Sequence, residues 1–241
     1  MPRLVILPGL LSDERLFAAQ VAALDALVVD GFYDGADSIG AMADHALARM
    51  PDGAVLLGHS MGGRVALEMW VRAPHRIAGI AIANSGVHQA REGEAESRHA
   101  LLDLGRRDGA AALADRWLPP MLGPDTPDDV HATLHAMATQ AGVDVFAAQI
   151  RALLARPDAE AVLPTLTCPV AIIGAEHDAW SPVAQQQAIA AAIPDAQLAI
   201  VPGAGHMAPA EAPAAFTHAV AAWLAHVDHQ SPNSLAERML K

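Results

Sequence analysis

Short apolar runs alternate along the chain with segments in which apolar residues recur at helical spacing. The apolar runs predict strands at 3–7, 27–29, 54–57, 77–83, 170–173 and 198–201. Helical spacing, with Ser or Asp at the start and Pro or Gly near the end, predicts helices at about 12–24, 38–50, 61–73, 182–192 and 211–226. Because these strands lack polar alternation, we predict an α/β fold: a mostly parallel sheet with helices on both faces.

The segment between the fourth and fifth predicted strands contains no convincing strand. Its pattern predicts four helices, at about 94–107, 110–117, 127–139 and 143–154. We therefore expect a core formed by residues 1–87 and 162–227, a helical lid at 88–161, and a polar tail at 228–241. The sheet should have about six strands, with strand 27–29 at an edge. Ligands of such sheets bind at the carboxyl ends of the strands, so the loops there should hold the chemistry.

The third predicted strand runs directly into Gly58-His59-Ser60-Met61-Gly62 and then into a helix. This places one serine at the apex of a tight turn, where flanking glycines avoid collisions with the neighbouring strand and helix. A serine hydroxyl is a poor nucleophile until a base takes its proton, so it must stand where a histidine reaches it. Ser60 is the predicted nucleophile. His59 is expected to point away from the reaction and to have a structural role.

Two later strand ends carry an acid and a histidine. The loop after strand 170–173 contains Glu176 and Asp178, and the loop after strand 198–201 contains His206. Nucleophile, acid and histidine therefore follow one another in the order Ser, Asp, His, which is the order of α/β-hydrolases. Taken as residues alone, either carboxylate could be the acid, and both could be solvated loop residues.

The three motifs together resemble the α/β-hydrolase fold family over nearly the whole chain, and in particular its small lidded esterase and enol-lactonase-like branch. The resemblance also covers the segments 153–158 and 168–174. It implies that Ser60 is the nucleophile, that His206 is the general base, and that Asp178, rather than Glu176, orients the imidazole. Most relatives have an N-terminal hairpin that this sequence lacks, because it starts at what is usually the third strand.

The resemblance further implies an oxyanion hole made of two backbone N–H groups. One is that of Met61, directly after the nucleophile. The other follows the first strand, where relatives have a His-Gly pair and this chain has Pro8-Gly9. Proline has no N–H, so the second donor should be Leu10, with Leu11 as the alternative. Such a donor contributes roughly 3 kcal/mol in comparable enzymes.

A substrate pocket is expected beneath the lid and beside the catalytic candidates. The alternative for each lid residue is that it only packs the lid onto the core. Few charged residues fall in these segments, which favours a small, largely apolar acyl substrate. The candidate pocket residues are Leu11, Trp117, Leu118, Met121, Leu122, Phe146, Ile150, Trp180 and Met207.

These expectations define a serine hydrolase that cleaves small carboxylic esters through an acyl-enzyme, without a cofactor. The same residues would suit a lactonase, a thioesterase, or a carbon–carbon hydrolase or lyase. A non-catalytic ligand receptor of this fold is a further alternative, but the complete set of Ser60, Asp178 and His206 argues against it. A serine nucleophile also argues against dehalogenases and epoxide hydrolases, which use aspartate.

Composition narrows the partners to a small-molecule substrate. The net charge of −12 over 241 residues argues against nucleic acid. No apolar run reaches the roughly 20 residues that span a bilayer, and residues 1–8 are too short for a signal peptide, so a cytoplasmic protein without membrane contact is expected. The lone Cys168 excludes an internal disulfide. His131 and His135 have metal-ligand spacing but lack a third ligand, so we expect no metal.

Overall fold

Six parallel strands form one sheet in the computed structural model, which describes residues 2–230. Their order across the sheet is β2-β1-β3-β4-β5-β6, which confirms the predicted α/β fold and the edge position of the second strand. The strands are β1 (Leu4–Leu7), β2 (Leu27–Val28), β3 (Ala54–His59), β4 (Ile77–Ala83), β5 (Val170–Ala175) and β6 (Gln197–Val201). Every residue of β1, β3 and β5 is buried, which explains their unbroken apolar character.

Helices connect the strands in the alternating pattern that the sequence predicts. They are α1 (Ala18–Leu24), α2 (Ile39–Leu47), α3 (Met61–Arg72), α4 (Glu94–Asp108), α5 (Ala110–Trp117), α6 (Asp128–Leu154), α7 (Val183–Ala191), α8 (Ala208–Glu211) and α9 (Pro213–Gln230). The described residues contain no helix long and apolar enough to cross a membrane.

Two stretches differ from the sequence-based boundaries. The predicted helices 127–139 and 143–154 form the two halves of α6, interrupted at Gly142, whose φ of 83° is not helical. The closing helix α9 continues to Gln230, so the first residues of the expected polar tail are helical. The apolar face of α9 packs on the sheet, and this face includes the buried Val227, which lies past the predicted end of the helix. The rest of that tail, 231–241, lies outside the described residues.

Helices cover both faces of the sheet. Strand residues three apart point to opposite faces, and β4 shows both contacts: Gly79 faces Trp223 and Val227 of α9, whereas Ile82 faces Gly63 of α3. The helices α4, α5 and α6 follow β4 and contact one another before the chain returns to β5. The segment at 88–161 therefore contains a helical unit, and its role as a lid stays a prediction.

The order of the strands determines where the candidate site lies. The chain passes from β1 outward to β2 and then returns to the other side of β1 as β3, so the direction of the connections reverses between β1 and β3. In sheets of this kind the loops separate at such a point and leave a crevice at the carboxyl ends of the strands. The loops after β1 and β3, which hold Leu10 and Ser60, border this crevice.

Candidate active site

Ser60 lies in the tight turn between β3 and α3 and has an unusual backbone conformation, with φ 54° and ψ −117°. Its own N–H donates to the Ala83 carbonyl at 2.9 Å, which ties the turn to β4. A side chain at Gly62 would overlap the Leu7 carbonyl, and one at Gly58 would overlap the Gly62 backbone. The glycines that the sequence motif requires therefore permit the close packing of α3 against β1 and β3 that supports the turn.

The structure brings the three predicted catalytic side chains together. Ser60 Oγ lies 2.9 Å from His206 Nε2, and His206 Nδ1 lies 2.8 Å from Asp178 Oδ2. Asp178 and His206 are 3% and 4% exposed, whereas Ser60 borders a cavity. Because the carboxylate accepts the proton of Nδ1, the lone pair of Nε2 faces the serine hydroxyl. This arrangement lets the imidazole take the serine proton.

Asp178 accepts four hydrogen bonds. The donors are His206, the Asn84 side-chain amide and the backbone N–H groups of Trp180 and Ser181, the last three each at 2.9 Å. Burial acts to raise the pKa of Asp178, but the charge of His206 and these hydrogen bonds outweigh it and lower the pKa to about 2. The carboxylate is therefore ionised and fixed in orientation.

The competing carboxylate has a different environment. Glu176 lies on the exposed side of the same loop, and its Oε2 accepts the Gly203 N–H at 2.9 Å. It forms part of the link between the loops after β5 and β6 and does not contact His206. Asn84 is a site residue that the sequence did not identify. Its position directly after the apolar run 77–83, at the carboxyl end of a strand, is the sequence signal that could have indicated a special role. In the structure its φ is 47°, which is uncommon for a residue other than glycine.

The loop that carries His206 is attached to the segment before α6. The His206 N–H donates to the Met121 carbonyl at 2.7 Å. Glu211, which the sequence analysis also missed, accepts the N–H groups of Gly205 and Gly123 at 2.9 and 2.5 Å. The Glu211 carboxylate thus joins the loop that carries His206 to the segment before α6, and this link helps to position His206.

His59 has a structural contact, in the way that the turn geometry predicts. It is 1% exposed, and its Nε2 donates to the His206 carbonyl at 2.8 Å. Burial, together with repulsion from His206, lowers the pKa of His59 to about 3, so its imidazole is neutral. Because His59 is neutral, it supports the backbone of the His206 loop without placing a second positive charge next to His206.

Leu10 and Leu11, the two candidates for the oxyanion donor after β1, differ in their hydrogen bonds. The Leu11 N–H donates to Gln149 Oε1 at 2.8 Å, while Gln149 Nε2 donates to the Gly31 carbonyl at 2.8 Å. The Leu11 N–H therefore already has an acceptor, so Leu10 remains the predicted oxyanion donor after β1. Leu10 and Met61 both border the cavity that contains Ser60, and Met61 is the first residue of α3. An N–H at a helix start has no partner within the helix and is free for an oxyanion.

Gln149 is fully buried and links the Leu10–Leu11 turn to the loop after β2, because its Oε1 accepts the Leu11 N–H and its Nε2 donates to the Gly31 carbonyl. We expect Gln149→Ala to reduce kcat by about 10- to 100-fold, because the turn that presents the Leu10 N–H loses its support. The unfolding free energy should fall by about 1–3 kcal/mol, since two buried backbone groups lose their partners. Steady-state kinetics and urea unfolding measure both. Gln140→Ala, on the exposed face of the same helix, is the control and should leave kcat unchanged.

An unchanged kcat in folded Gln149→Ala would exclude the proposed role of Gln149 in supporting the Leu10–Leu11 turn.

A cavity of about 480 Å³ opens above Ser60. Four of the predicted pocket residues line it: Trp117, Met121, Trp180 and Met207. The prediction was wrong for the other five, which are absent from its lining: Leu11, Leu118, Leu122, Phe146 and Ile150. They belong to the core or pack against it, because the apolar faces of the lid helices turn toward one another and toward the sheet.

The expectation of few charged residues at the pocket needs correction. Beside its apolar lining, the cavity is bordered by arginines and glutamates from α3, from the segment 88–94, from α4 and from the residues after α6: Arg64, Arg91, Glu92, Glu94, Arg98 and Arg156. They are scattered along the sequence, so no single segment shows a charged pocket. Folding collects them beside Ser60.

Glu94 forms ion pairs with two of these arginines, Arg98 and Arg156. Burial acts to raise the pKa of Glu94, but hydrogen bonds and charge from Arg156 and Arg98 lower it to about 2. A carboxylate with a depressed pKa stabilises the fold above its unfolded pKa, and the contribution is lost as the pH falls toward 2. We expect Glu94→Gln to lower the unfolding free energy by about 2 kcal/mol at pH 7. Urea unfolding from pH 7 to pH 3 should show this difference shrinking. Glu96→Gln, exposed on the same helix, should have nearly the wild-type unfolding free energy at both pH values. A loss of stability in Glu94→Gln that does not depend on pH would contradict the lowered pKa of Glu94.

The two histidines with metal-ligand spacing lie outside the site. His135 Nε2 is 2.9 Å from Asp115 Oδ1, and its ring stacks on that of His131. Within residues 2–230, no group of three or more His, Cys, Asp or Glu side chains is arranged to hold a metal ion.

A six-stranded parallel sheet with a strained Ser60 turn and a Ser–His–Asp arrangement at its carboxyl edge defines the class of α/β-hydrolases. The model of the alpha/beta hydrolase family matches residues 4–219, and the chain belongs to that family. This confirms the resemblance to the esterase and enol-lactonase-like branch.

Individual relatives share this class. A 3-oxoadipate enol-lactonase of Acinetobacter baylyi is 32% identical over 192 residues, which are 78% of this chain and 68% of that protein. An esterase of Thermogutta terrifontis, solved with malate bound, superposes with a TM-score of 0.86 at 28% identity, covering 94% of this chain and 90% of that one. The enol-lactonase of Burkholderia xenovorans LB400 superposes with a TM-score of 0.80 at 25% identity, covering 93% and 91%. The protein is a hydrolase of this family.

Proposed function

We propose that this protein is a serine hydrolase that cleaves carboxylic esters and needs no cofactor. The observation that carries the proposal is the hydrogen-bonded series from Ser60 through His206 to Asp178, with distances of 2.9 and 2.8 Å, at the edge of a cavity. This series supplies a nucleophile, a base and a group that orients the base, which is the full requirement for acyl transfer.

The proposed reaction has two steps. His206 Nε2 takes the proton of Ser60 Oγ as the oxygen bonds to the acyl carbon, and Asp178 stabilises the imidazolium. The oxyanion accepts the N–H groups of Leu10 and Met61, and collapse of the intermediate expels the alcohol, which takes the proton from His206. In the second step, His206 takes a proton from water, whose oxygen attacks the acyl-enzyme. The acid leaves and Ser60 regains its proton.

A lactone is the second candidate substrate. Two of the relatives are named enol-lactonases, and the same residues open a lactone ring, in which the leaving alcohol stays attached to the acyl group. Esters and lactones are favoured over the thioesters and carbon–carbon bonds that the same residues could attack, because the relatives described above are named esterases and enol-lactonases. A cavity of about 480 Å³ favours a small molecule in either case.

Covalent labelling tests the proposal directly. A fluorophosphonate should add one equivalent of the reagent to the wild-type protein, detected by intact mass, and peptide mapping should place the adduct on Ser60. The Ser60→Ala variant should remain unlabelled. A protein that stays unlabelled, or one whose adduct is on another residue, would contradict the proposal and favour a ligand receptor.

A further inference from the structure

The cavity above Ser60 concentrates positive charge in an acidic protein. The whole chain has a net charge of −12, yet in the described part of the chain the cavity is bordered by four arginines and two glutamates. A cavity of this composition attracts an anion and increases its local concentration. The ion pairs and hydrogen bonds of these side chains show which arginine has no carboxylate partner and can bind such an anion.

Two of these arginines already bind a carboxylate. Arg156 Nη1 and Nη2 bind the two oxygens of Glu94 at 2.6 and 2.7 Å, and Arg98 binds the same carboxylate at 2.8 Å. Arg91 extends outward, where its Nη2 donates to Gln185 Oε1 at 3.4 Å. The direct contacts of Glu94 are therefore with Arg156 and Arg98, and its single negative charge leaves the group with a net positive charge.

Arg64 is buried and forms no ion pair among the described residues. It is 7% exposed, its Nη2 donates to the His88 carbonyl at 2.8 Å, and its Nη1 has no hydrogen-bond partner in that part of the chain. Burial, together with repulsion from Arg156 and Arg98, lowers its pKa to about 9, although the more distant Glu94 and Asp158 act in the opposite direction. A buried guanidinium with an unused donor is costly unless an anion pairs with it, so this residue is poorly explained as packing alone.

Arg64 lies close to the reacting serine along the same element. It is the fourth residue of α3, and Ser60 directly precedes that helix, so the two positions are about 6 Å apart along the helix axis. Both border the same cavity. Trp117 also lines the cavity, and its indole N–H is a second buried donor without an acceptor in the described chain. An anion with acceptor oxygens complements such a surrounding.

We propose that Arg64 binds a carboxylate of the substrate, so that the preferred substrates are esters or lactones that carry a carboxylate a few carbons from the carbonyl that Ser60 attacks. Half-esters of short dicarboxylic acids have this chemistry. The carboxylate takes no part in the bond changes and serves to bind and orient the acyl chain. The inference rests on the proposed ester hydrolysis for the reacting end, whereas anion binding by Arg64 stands on its own contacts.

Kinetics on two matched esters tests the preference. Monomethyl glutarate carries the carboxylate, and dimethyl glutarate has the same chain with that charge removed. Wild-type kcat/KM should be at least 10-fold higher for the half-ester. Arg64→Met should lower the ratio of the two kcat/KM values by about 10- to 100-fold, mainly through KM for the half-ester. Arg106→Met, an exposed arginine outside the cavity, is the control for loss of one positive charge and should leave the ratio unchanged.

Equilibrium binding separates this inference from the proposed hydrolysis. Glutarate should bind the wild-type protein in isothermal titration calorimetry. Arg64→Met should raise the Kd for glutarate at least 10-fold, whether or not either ester is turned over. If Arg64→Met does not fold, Arg64→Lys, which keeps the cation but not the guanidinium geometry, should bind glutarate more weakly than the wild type. Equal Kd values in wild-type protein and a folded Arg64 variant, or a wild-type preference for the diester, would overturn the proposal.

Discussion

Ser60→Ala is expected to reduce kcat for p-nitrophenyl butyrate by about 10⁵- to 10⁶-fold, as loss of the nucleophile does in other enzymes with such a triad. The fold should persist, because within residues 2–230 the hydroxyl hydrogen-bonds to His206 alone, and the turn is held by backbone contacts such as that of the Ser60 N–H with Ala83. Steady-state kinetics measures the loss, and thermal unfolding should show a Tm close to that of the wild type.

A second cavity serine supplies the matched control. Ser97 borders the same cavity, and its hydroxyl donates to the Gly93 carbonyl at 3.1 Å, away from His206. Ser97→Ala should keep kcat within about 3-fold of the wild type, since no step of the reaction uses its hydroxyl. A folded Ser60→Ala protein that retains a tenth of the wild-type activity would remove Ser60 from the mechanism.

Asp178→Asn is expected to lower kcat by about 10⁴-fold, the effect of this substitution in a comparable triad. Oδ2 of the carboxylate accepts His206 Nδ1 and the Asn84 amide, and Oδ1 accepts the backbone N–H groups of Trp180 and Ser181. An asparagine has only one acceptor oxygen, so its NH₂ group must face one of these donors. If it faces His206, the imidazole changes tautomer, and Nε2 then carries a proton and cannot accept that of Ser60.

The neighbouring carboxylate tests whether this loss is specific. Glu176→Gln makes the same chemical change two residues earlier and keeps an oxygen for the Gly203 N–H. Its kcat should remain within about 3-fold of the wild type. Steady-state kinetics on p-nitrophenyl butyrate compares the two variants. Equal losses in both, or a larger loss in Glu176→Gln, would reverse the assignment of the acid.

Much of the fold could be predicted because its determinants are local. Strands buried on both faces require apolar residues at every position, so β1, β3 and β5 were visible as unbroken apolar runs. The serine turn requires glycines at Gly58 and Gly62, and this requirement leaves a motif in the sequence. The boundary of α9 was less predictable, because its packing on the sheet carries the helix beyond its sequence signals.

The surroundings of the site were less predictable. Asn84, Gln149 and Glu211 act through one or more side-chain hydrogen bonds, most of them to residues far away in the chain, and an isolated polar residue has no periodicity to reveal it. The pocket was mispredicted for a related reason. Apolar side chains of the lid were expected to face the substrate, whereas Phe146 and Ile150 are buried in the core.

By itself, the sequence determined the strand order along the chain, the serine turn and the sequential order of Ser60, Asp178 and His206, since each follows from residues close together in the chain. Only the tertiary structure decided which loops meet, that Asp178 rather than Glu176 faces the histidine, and that Arg64, with a guanidinium nitrogen unpaired among the described residues, lines the same cavity as Ser60. The physical reason is that hydrogen bonds and charge pairs act over a few ångströms in space. The packing of the sheet and the lid therefore sets them, not the separation of residues along the chain.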